Sequence, residues 1–318
     1  MSVDKILARI ANERKNVSQE LYNAEGLLRL QETMAAYEGE DKLYSSEEIV
    51  EALKDAPPEE GLKTGIKKLD ELTGGVRRKQ VWTMFAHTGH GKTEFSTDFM
   101  GRFPGMNPVL IPLEQGVEEL ISQRIQRGYK IPHFLAPKRN EAFVLTNWIE
   151  ERVVEGIAKY NTGMVVIDHL GYLDTNGEGG KWKRENLAYR ISQTMKELNH
   201  IGDKWDVTVV LLVHVSEGDE GKPPQLTDIG NSSDIKKESD VVIGIWRKNS
   251  LKKKVRVYDP ENKTMLSVLK SRRMGKIGAV GLVFDENVGT YREEQGWVDS
   301  MEESAQSAVR ADDEFPED

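Results

Sequence analysis

Val81-Trp82-Thr83-Met84-Phe85-Ala86-His87-Thr88-Gly89-His90-Gly91-Lys92-Thr93 is an apolar run that enters a glycine-bearing loop, closes on Lys-Thr and continues into a helical pattern. Strand, loop and helix in that order make a phosphate-binding loop. Backbone N–H groups converge on one phosphate only where side chains do not intrude, and the helix that follows adds the positive end of its dipole. Gly89 and Gly91 permit such a backbone. Lys92 can reach the β- and γ-phosphates as a point charge, and the Thr93 hydroxyl is placed to ligate Mg²⁺. Ala86, His87, Thr88, Gly89, His90, Gly91, Lys92 and Thr93 are therefore the candidate nucleotide-binding segment, with Ala86 standing where the general pattern has its first glycine. ATP and Mg²⁺ are the expected ligands.

Beyond the loop, apolar runs of strand length recur at Val109 to Leu113, Met164 to Ile167, Val207 to Val213, Val241 to Trp246, Met265 to Leu269 and Ala279 to Phe284. Helical patterns separate them at Glu94 to Arg102, Val117 to Arg127, Asn140 to Lys159 and Arg184 to Ile201. Continuous rather than alternating apolar runs suit strands covered on both faces, so the expected fold class is α/β with a mostly parallel, partly mixed sheet. In open sheets of this kind ligands bind at the carboxyl ends of the strands. Four polar groups stand there. Asp168 is the expected partner of Thr93 at Mg²⁺, because an acid ending a buried strand is costly without such a role. Glu114 can orient and deprotonate a water attacking the γ-phosphate. His214 can sense that phosphate and signal to the adjoining loop. Lys270 and Arg272 offer the extra positive charge that phosphoryl transfer needs, as an arginine finger does. The residue after Asp168 is His169, not a second acid, so the base is expected from Glu114.

Around this core the chain of 318 residues divides into a helical arm (1–44), a linker helix (45–60), the α/β domain (61–298) and an acidic tail (299–318). Ser45-Ser46-Glu47-Glu48 is a capping box for the linker helix, and Pro57-Pro58 stops it. The arm is either packed on its own domain or an oligomerisation or partner-docking element. The tail holds −7 of the net charge of −9, which leaves a nearly neutral body whose basic loops can still bind phosphate backbones. Few apolar residues make the tail a disordered segment, solvating the chain or docking Phe315 among its acids on a basic groove. There is no cysteine, so no disulfide framework or thiol nucleophile, and the six histidines have no metal-ligand spacing. No apolar stretch is long enough for a membrane span, and a cytoplasmic protein is expected.

Gly61 to Leu69, Ala86-x4-Gly-Lys-Thr, Pro112-Leu113-Glu114, Val165 to Leu173, Leu211 to Val215, Thr227 to Ile235 with Ser239-Asp240, and Lys270-Ser271-Arg272-x-x-Gly275 follow one another in the order of the motor domain of DnaB-type replicative helicases. The resemblance covers roughly residues 45–295 and is strongest to phage and organellar ring helicases. It implies a RecA-like P-loop NTPase core and ATP-dependent translocation, 5′ to 3′, on single-stranded DNA. It further implies a homo-hexameric ring with nucleotide sites between subunits, in a bacterial or phage-infected cell. By the same resemblance Lys92 and Thr93 are the P-loop pair, Glu114 the catalytic glutamate, Asp168 the Mg²⁺-side aspartate and His214 the γ-phosphate sensor. Lys270 and Arg272 match the basic pair inserted into the neighbouring subunit's site. Primase, polymerase, a loader and single-strand-binding protein are the partners such a motor meets. The family commonly carries arginine where this chain has Gly230, and with about 60 residues ahead of the motor a helical arm is expected here rather than the family's globular amino-terminal domain.

Two loops are expected to face DNA. In the first, Lys181, Lys183 and Arg184 can neutralise phosphates while Trp182 stacks on a base, the combination that binds single strands without reading sequence. In the second, Lys222, Lys236 and Lys237 are cationic candidates, and Gly230 and Asn231 offer backbone N–H groups. Arg247, Lys248, Lys252, Lys253 and Lys254 are expected on a solvated outer loop. A RecA-like recombinase or repair ATPase would share the core chemistry on an open filament. A nucleotide-dependent replication scaffold would need Lys92 and Thr93 but not the full set.

Overall fold

The computed structural model describes residues 24–39, 42–54, 60–138, 146–169, 185–215, 219–229, 233–252 and 255–301. The chain divides into two compact units, residues 1–59 and 60–318. The first unit contains helices α1 (Ala24–Ala35) and α2 (Ser46–Lys54). At the start of α2 the Ser45 Oγ accepts from the Glu48 N–H at 3.1 Å and Glu48 Oε2 accepts from the Ser45 N–H at 2.7 Å, the reciprocal cap expected there.

In the second unit the apolar runs become an eight-stranded sheet. Its strands are β1 (Val81–Ala86), β2 (Val109–Pro112), β3 (Met164–Asp168), β4 (Thr208–His214), β5 (Val241–Arg247), β8 (Lys263–Ser271), β9 (Gly278–Asp285) and β10 (Thr290–Glu293), and β6 (Asn249–Lys252) and β7 (Val255–Tyr258) form a separate ribbon. The order across the sheet is β10-β9-β8-β5-β1-β4-β3-β2. The five strands β5-β1-β4-β3-β2 are parallel, and the other three extend the sheet antiparallel from β5.

Strand alternation divides the core between the two faces. Trp82, Met84 and Ala86 of β1 join Phe95 and Phe99 of α4 (Lys92–Gly101) in one cluster. Val81 and Phe85 join Ile149 and Val153 of α6 (Thr146–Tyr160), and Met195 and Leu198 of α7 (Glu185–Trp205), in the other. Cover on both faces explains why every residue of β1 is buried and why its sequence is a continuous apolar run. The remaining helices are α3 (Lys67–Thr73), α5 (Val117–Gln126) and α8 (Ser233–Glu238).

The expected outer loop is corrected by the structure for Arg247 and Lys252, which lie in strands, while Lys253 and Lys254 lie outside the described residues. Arg247 ends β5, and its neighbours form the β6–β7 ribbon, with Asn249 paired to Tyr258. Three consecutive lysines, Lys252 to Lys254, hide the strand pattern in the sequence. A two-stranded ribbon needs no buried face of alternating apolar residues to be recognised by.

Candidate functional site

Parallel strands deliver their carboxyl ends to one edge, and the register fixes which groups meet there. Ala86 is level with His214, and Asp168 with both Leu212 and Pro112, so the phosphate loop, His214, Asp168 and Glu114 leave the sheet side by side. The Asp168 carbonyl accepts from the Leu113 N–H at 2.5 Å and the Glu114 N–H at 3.2 Å, which ties the β2 exit to the β3 exit. The Val215 N–H donates to the Ala86 carbonyl at 3.1 Å and ties β4 to the loop in the same way.

The loop itself is shaped by glycine. Gly89 and Gly91 both have φ of 83°, in the left-handed region, and a Cβ on Gly91 would sit 2.9 Å from the Tyr291 hydroxyl. Gly91 precedes the first turn of α4, whose open N–H groups face the loop. Two contacts brace the loop from the β6–β7 side. The Tyr258 hydroxyl donates to the Gly89 carbonyl at 2.8 Å, and the Arg247 N–H donates to His90 Nδ1 at 3.1 Å. The Arg247 guanidinium lies 4.3 Å from the Tyr258 ring centre, which couples the two braces.

Lys92 and Asp168 are 6% and 7% exposed, with Nζ and Oδ1 at 3.4 Å. That is longer than a charge-assisted hydrogen bond, about 2.7–2.9 Å, and neither atom has a hydrogen-bond partner. Burial pushes the Lys92 ammonium below its ordinary value, and the negative charges of Asp168 and Glu114 only offset part of that. A buried cation and anion held apart in this way favour a further charged group between or beside them. The Thr93 hydroxyl lies 3.3 Å from Asp168 Oδ2, an oxygen pair of the hard-donor type that Mg²⁺ takes. A nucleotide phosphate with Mg²⁺ fits these atoms, with Lys92 on the phosphate and Thr93 and Asp168 on the ion.

On the far side of Asp168, Glu114 Oε2 is 3.0 Å from His214 Nε2 and 3.9 Å from His169 Nε2. The two imidazole rings meet edge to face at 4.3 Å. Partial burial pushes the Glu114 carboxyl up, but the hydrogen bond and charge of His214, with Lys92 and His169, outweigh it and hold the group below the usual glutamate range. Burial, then the charges of Lys92 and His214, push His169 down to about 4. The sequence marks His169 only as a residue that is not an acid. Its place directly after Asp168 was the available signal, and its contact with Glu114 needed the β2–β3 pairing to be visible.

Lys270 and Arg272 stand elsewhere. Val241, the first residue of β5, pairs with Ser271, so this end of β8 lies at the sheet edge opposite the phosphate loop. Arg272 donates to Asp240 Oδ1 at 2.9 Å and to the Lys237 carbonyl at 2.5 Å. Lys270 Nζ donates to the carbonyls of Lys236 and Lys237, at the end of α8. Lys222 and Lys237 are exposed and paired with Asp219 at 3.4 Å and Asp234 at 3.7 Å. Lys181, Trp182, Lys183, Arg184, Gly230 and Asn231 lie outside the described residues.

A phosphate loop on β1, with β4 interposed between it and the acid-bearing β3, defines a P-loop protein of the RecA-like class. Comparison with known proteins narrows the class. Residues 121–293 match the family model of the DnaB-like helicase C terminal domain, and the chain belongs to that family. It is 25% identical over 256 residues to the replicative DNA helicase DnaC of Bacillus subtilis, covering 70% of this chain and 54% of that protein. It is 24% identical over 256 residues to the replicative DNA helicase DnaB of Geobacillus stearothermophilus, covering the same shares. The chain thus spans about half the length of the curated relatives it matches. A solved ATPase domain superposes with a TM-score of 0.63 at 20% identity, over 77% of this chain and 96% of that one. A DnaB-like replicative helicase studied with primase superposes with a TM-score of 0.61 at 19% identity, over 90% of this chain and 77% of that one. Both likenesses give the fold expected from the sequence. Among the described residues no helix is long and apolar enough to cross a membrane.

Proposed function

We propose that the chain is an ATP-driven replicative DNA helicase motor that translocates 5′ to 3′ on single-stranded DNA as a homo-hexameric ring. The observation that carries this reading is the split of the charged groups between the two edges of one sheet. Lys92, Thr93, Asp168, Glu114 and His214 share one edge, while Lys270 and Arg272 stand at the other, out of reach of this chain's own phosphate loop. The relatives that share the family are replicative DNA helicases, and primase is the partner to test first, since it is the partner of one similar structure. Cytoplasm of a bacterial or phage-infected cell is the matching location.

In this reading Lys92 and the backbone of residues 86–93 hold the β- and γ-phosphates, and Thr93 and Asp168 hold Mg²⁺. Held there, the ion would supply positive charge against the charge that develops during phosphoryl transfer. Glu114, ionised at neutral pH, orients a water and accepts its proton as the new P–O bond forms and the bond from the γ-phosphorus to the bridging oxygen breaks. Arg272 of the adjoining subunit stabilises the charge that develops on the transferred group. His214 couples Glu114 to the end of β4, so the state of the phosphate reaches the segment that follows. Lys222, Lys236, Lys237 and the loop of residues 174–184 supply the contacts to DNA.

The test is the steady-state ATPase rate of wild type and Glu114→Gln, with and without single-stranded DNA. Strong stimulation by DNA that Glu114→Gln abolishes, with nucleotide binding retained, is the expected result. ATP binding with a hydrolysis rate indifferent to DNA would refute the motor.

A further inference from the structure

Glu114, His169 and His214 bring one carboxylate oxygen and two imidazoles together outside the Thr93–Asp168 pair. We propose that these three side chains bind a transition-metal ion of the Zn²⁺ type, and that occupancy removes the Glu114 carboxylate from the hydrolytic reaction. The second half of the proposal rests on the function proposed above; the binding itself does not.

The geometry is close to what such an ion needs. Tetrahedral bonds of about 2.1 Å to nitrogen and oxygen put neighbouring donor atoms about 3.4 Å apart. Here both Nε2 atoms approach the same Glu114 oxygen, at 3.0 Å and 3.9 Å, and one donor atom from each of the three residues lies within 4.8 Å of the others. Half an ångström of side-chain adjustment, roughly, would equalise the two approaches. The backbone is already fixed. Glu114 is tied to the Asp168 carbonyl, His169 follows that carbonyl directly, and β4 holds His214 level with Ala86.

Access and chemistry agree with that reading. The side chains of Glu114 and His214 are 43% and 29% exposed, so an ion can enter and water can complete its shell. Two imidazoles and one carboxylate match the ligand set of open zinc sites, whereas Mg²⁺ prefers the all-oxygen pair of Thr93 and Asp168. The two sites are therefore separable by ligand type although only Asp168 and His169 adjoin in sequence. Lys92 is a cation whose charge acts on both Glu114 and His169, and the Asp168 carboxylate, 3.4 Å from its Nζ, offsets part of that charge.

The test uses the full chain without nucleotide, in excess Mg²⁺ to occupy the oxygen site. Co²⁺ is titrated in and the visible spectrum followed, and Zn²⁺ is then used to displace it. The wild type is expected to give the intense bands of four-coordinate, nitrogen-ligated Co²⁺. His169→Asn and His214→Gln, checked for folding by circular dichroism, are expected to weaken binding by more than the about 10–100-fold that loss of an outer-shell partner costs. Absence of those bands in the wild type, or undiminished binding in both variants, overturns the site. In a second arm, Zn²⁺ inhibition of ATP hydrolysis is measured for each protein relative to its own rate in Mg²⁺ alone. Inhibition of wild type that is relieved by a chelator and weakened in His169→Asn supports the regulatory half. Full Zn²⁺ occupancy without inhibition overturns it. A chain that binds Co²⁺ as expected but hydrolyses no ATP in any form leaves the site standing and refutes the motor instead.

Discussion

Arg272→Ala offers the sharpest separation between action within a chain and action on a neighbour. The Asp240 carboxylate accepts from the Val81 N–H and from Arg272, so Arg272 lies level with the first residue of β1. The phosphate loop leaves β1 at its sixth residue, Ala86. At about 3.3 Å per residue that separates Arg272 from the loop entrance by about 17 Å along the strand, well beyond the reach of its side chain. Folding should hardly notice the substitution, because Arg272 is 55% exposed and an ion pair of that kind contributes at most about 1 kcal/mol. Turnover should fall by about 10³–10⁵-fold, a loss of about 4–7 kcal/mol of transition-state stabilisation, with nucleotide affinity nearly unchanged. The decisive assay mixes two inactive proteins. Arg272→Ala subunits keep Glu114, Glu114→Gln subunits keep Arg272, and random one-to-one mixing gives about a quarter of head-to-tail interfaces both groups intact. ATPase activity should therefore reappear in the mixture after subunit exchange. Wild-type turnover by pure Arg272→Ala, or a mixture as inactive as its parts, would refute the assignment.

Gly91→Ala places a Cβ 2.9 Å from the Tyr291 hydroxyl at φ of 83°, and should cost about 1–2 kcal/mol of stability and most of the ATP affinity, read by thermal melts and by equilibrium nucleotide binding. Arg124, 2% exposed, links Glu94 at 2.6 Å to the carbonyls of Lys130 and Gly289. Arg124→Ala leaves the two carbonyls without their donor and Glu94 with Arg127 alone, at 2.8 Å, and should destabilise the fold by about 1–3 kcal/mol in urea titration. Asp240→Ala removes the acceptor shared by the Val81 N–H and Arg272, so it should cost about 1–3 kcal/mol and lower ATPase turnover as well. A variant that loses stability alone would show that Arg272 needs no positioning by Asp240.

What could be read from the sequence was whatever burial writes as a run. β1 to β5 are covered on both faces or lie deep in the sheet, and their unbroken apolar stretches announced them. β10, only Thr290–Glu293, has no such run, and its neighbour β9 supplies the pairing that makes it a strand. The ribbon from Asn249 to Tyr258 was concealed by lysines, yet it carries the hydroxyl that braces the phosphate loop. The site divides along the same line. Glu114, Asp168 and His214 were legible because each ends an apolar run, and Lys92 and Thr93 because they close a glycine-bearing loop after one; parallel strands bring such positions to one edge. His169 was not, because its relation to Glu114 exists only through the pairing of β2 with β3.

The antiparallel register of β8 carries the larger consequence. A strand running parallel to β1 would have delivered Lys270 and Arg272 to the edge that holds Lys92, and one chain could then assemble the whole set of charges. Because β8 runs the other way, each chain presents a phosphate loop at one edge and a basic pair at the opposite edge. If the basic pair acts on a bound nucleotide, that nucleotide belongs to another copy, and the contact joins two different surfaces rather than one surface to itself. Such a head-to-tail contact does not stop at two copies: it closes into a ring when its rotation divides a full turn and runs on as a filament when it does not. Ring and filament therefore differ in the angle of one interface and not in the chemistry of the site. The images to collect are of particles formed with nucleotide and single-stranded DNA, and open helical filaments in place of closed rings would move the recombinase reading ahead of the helicase.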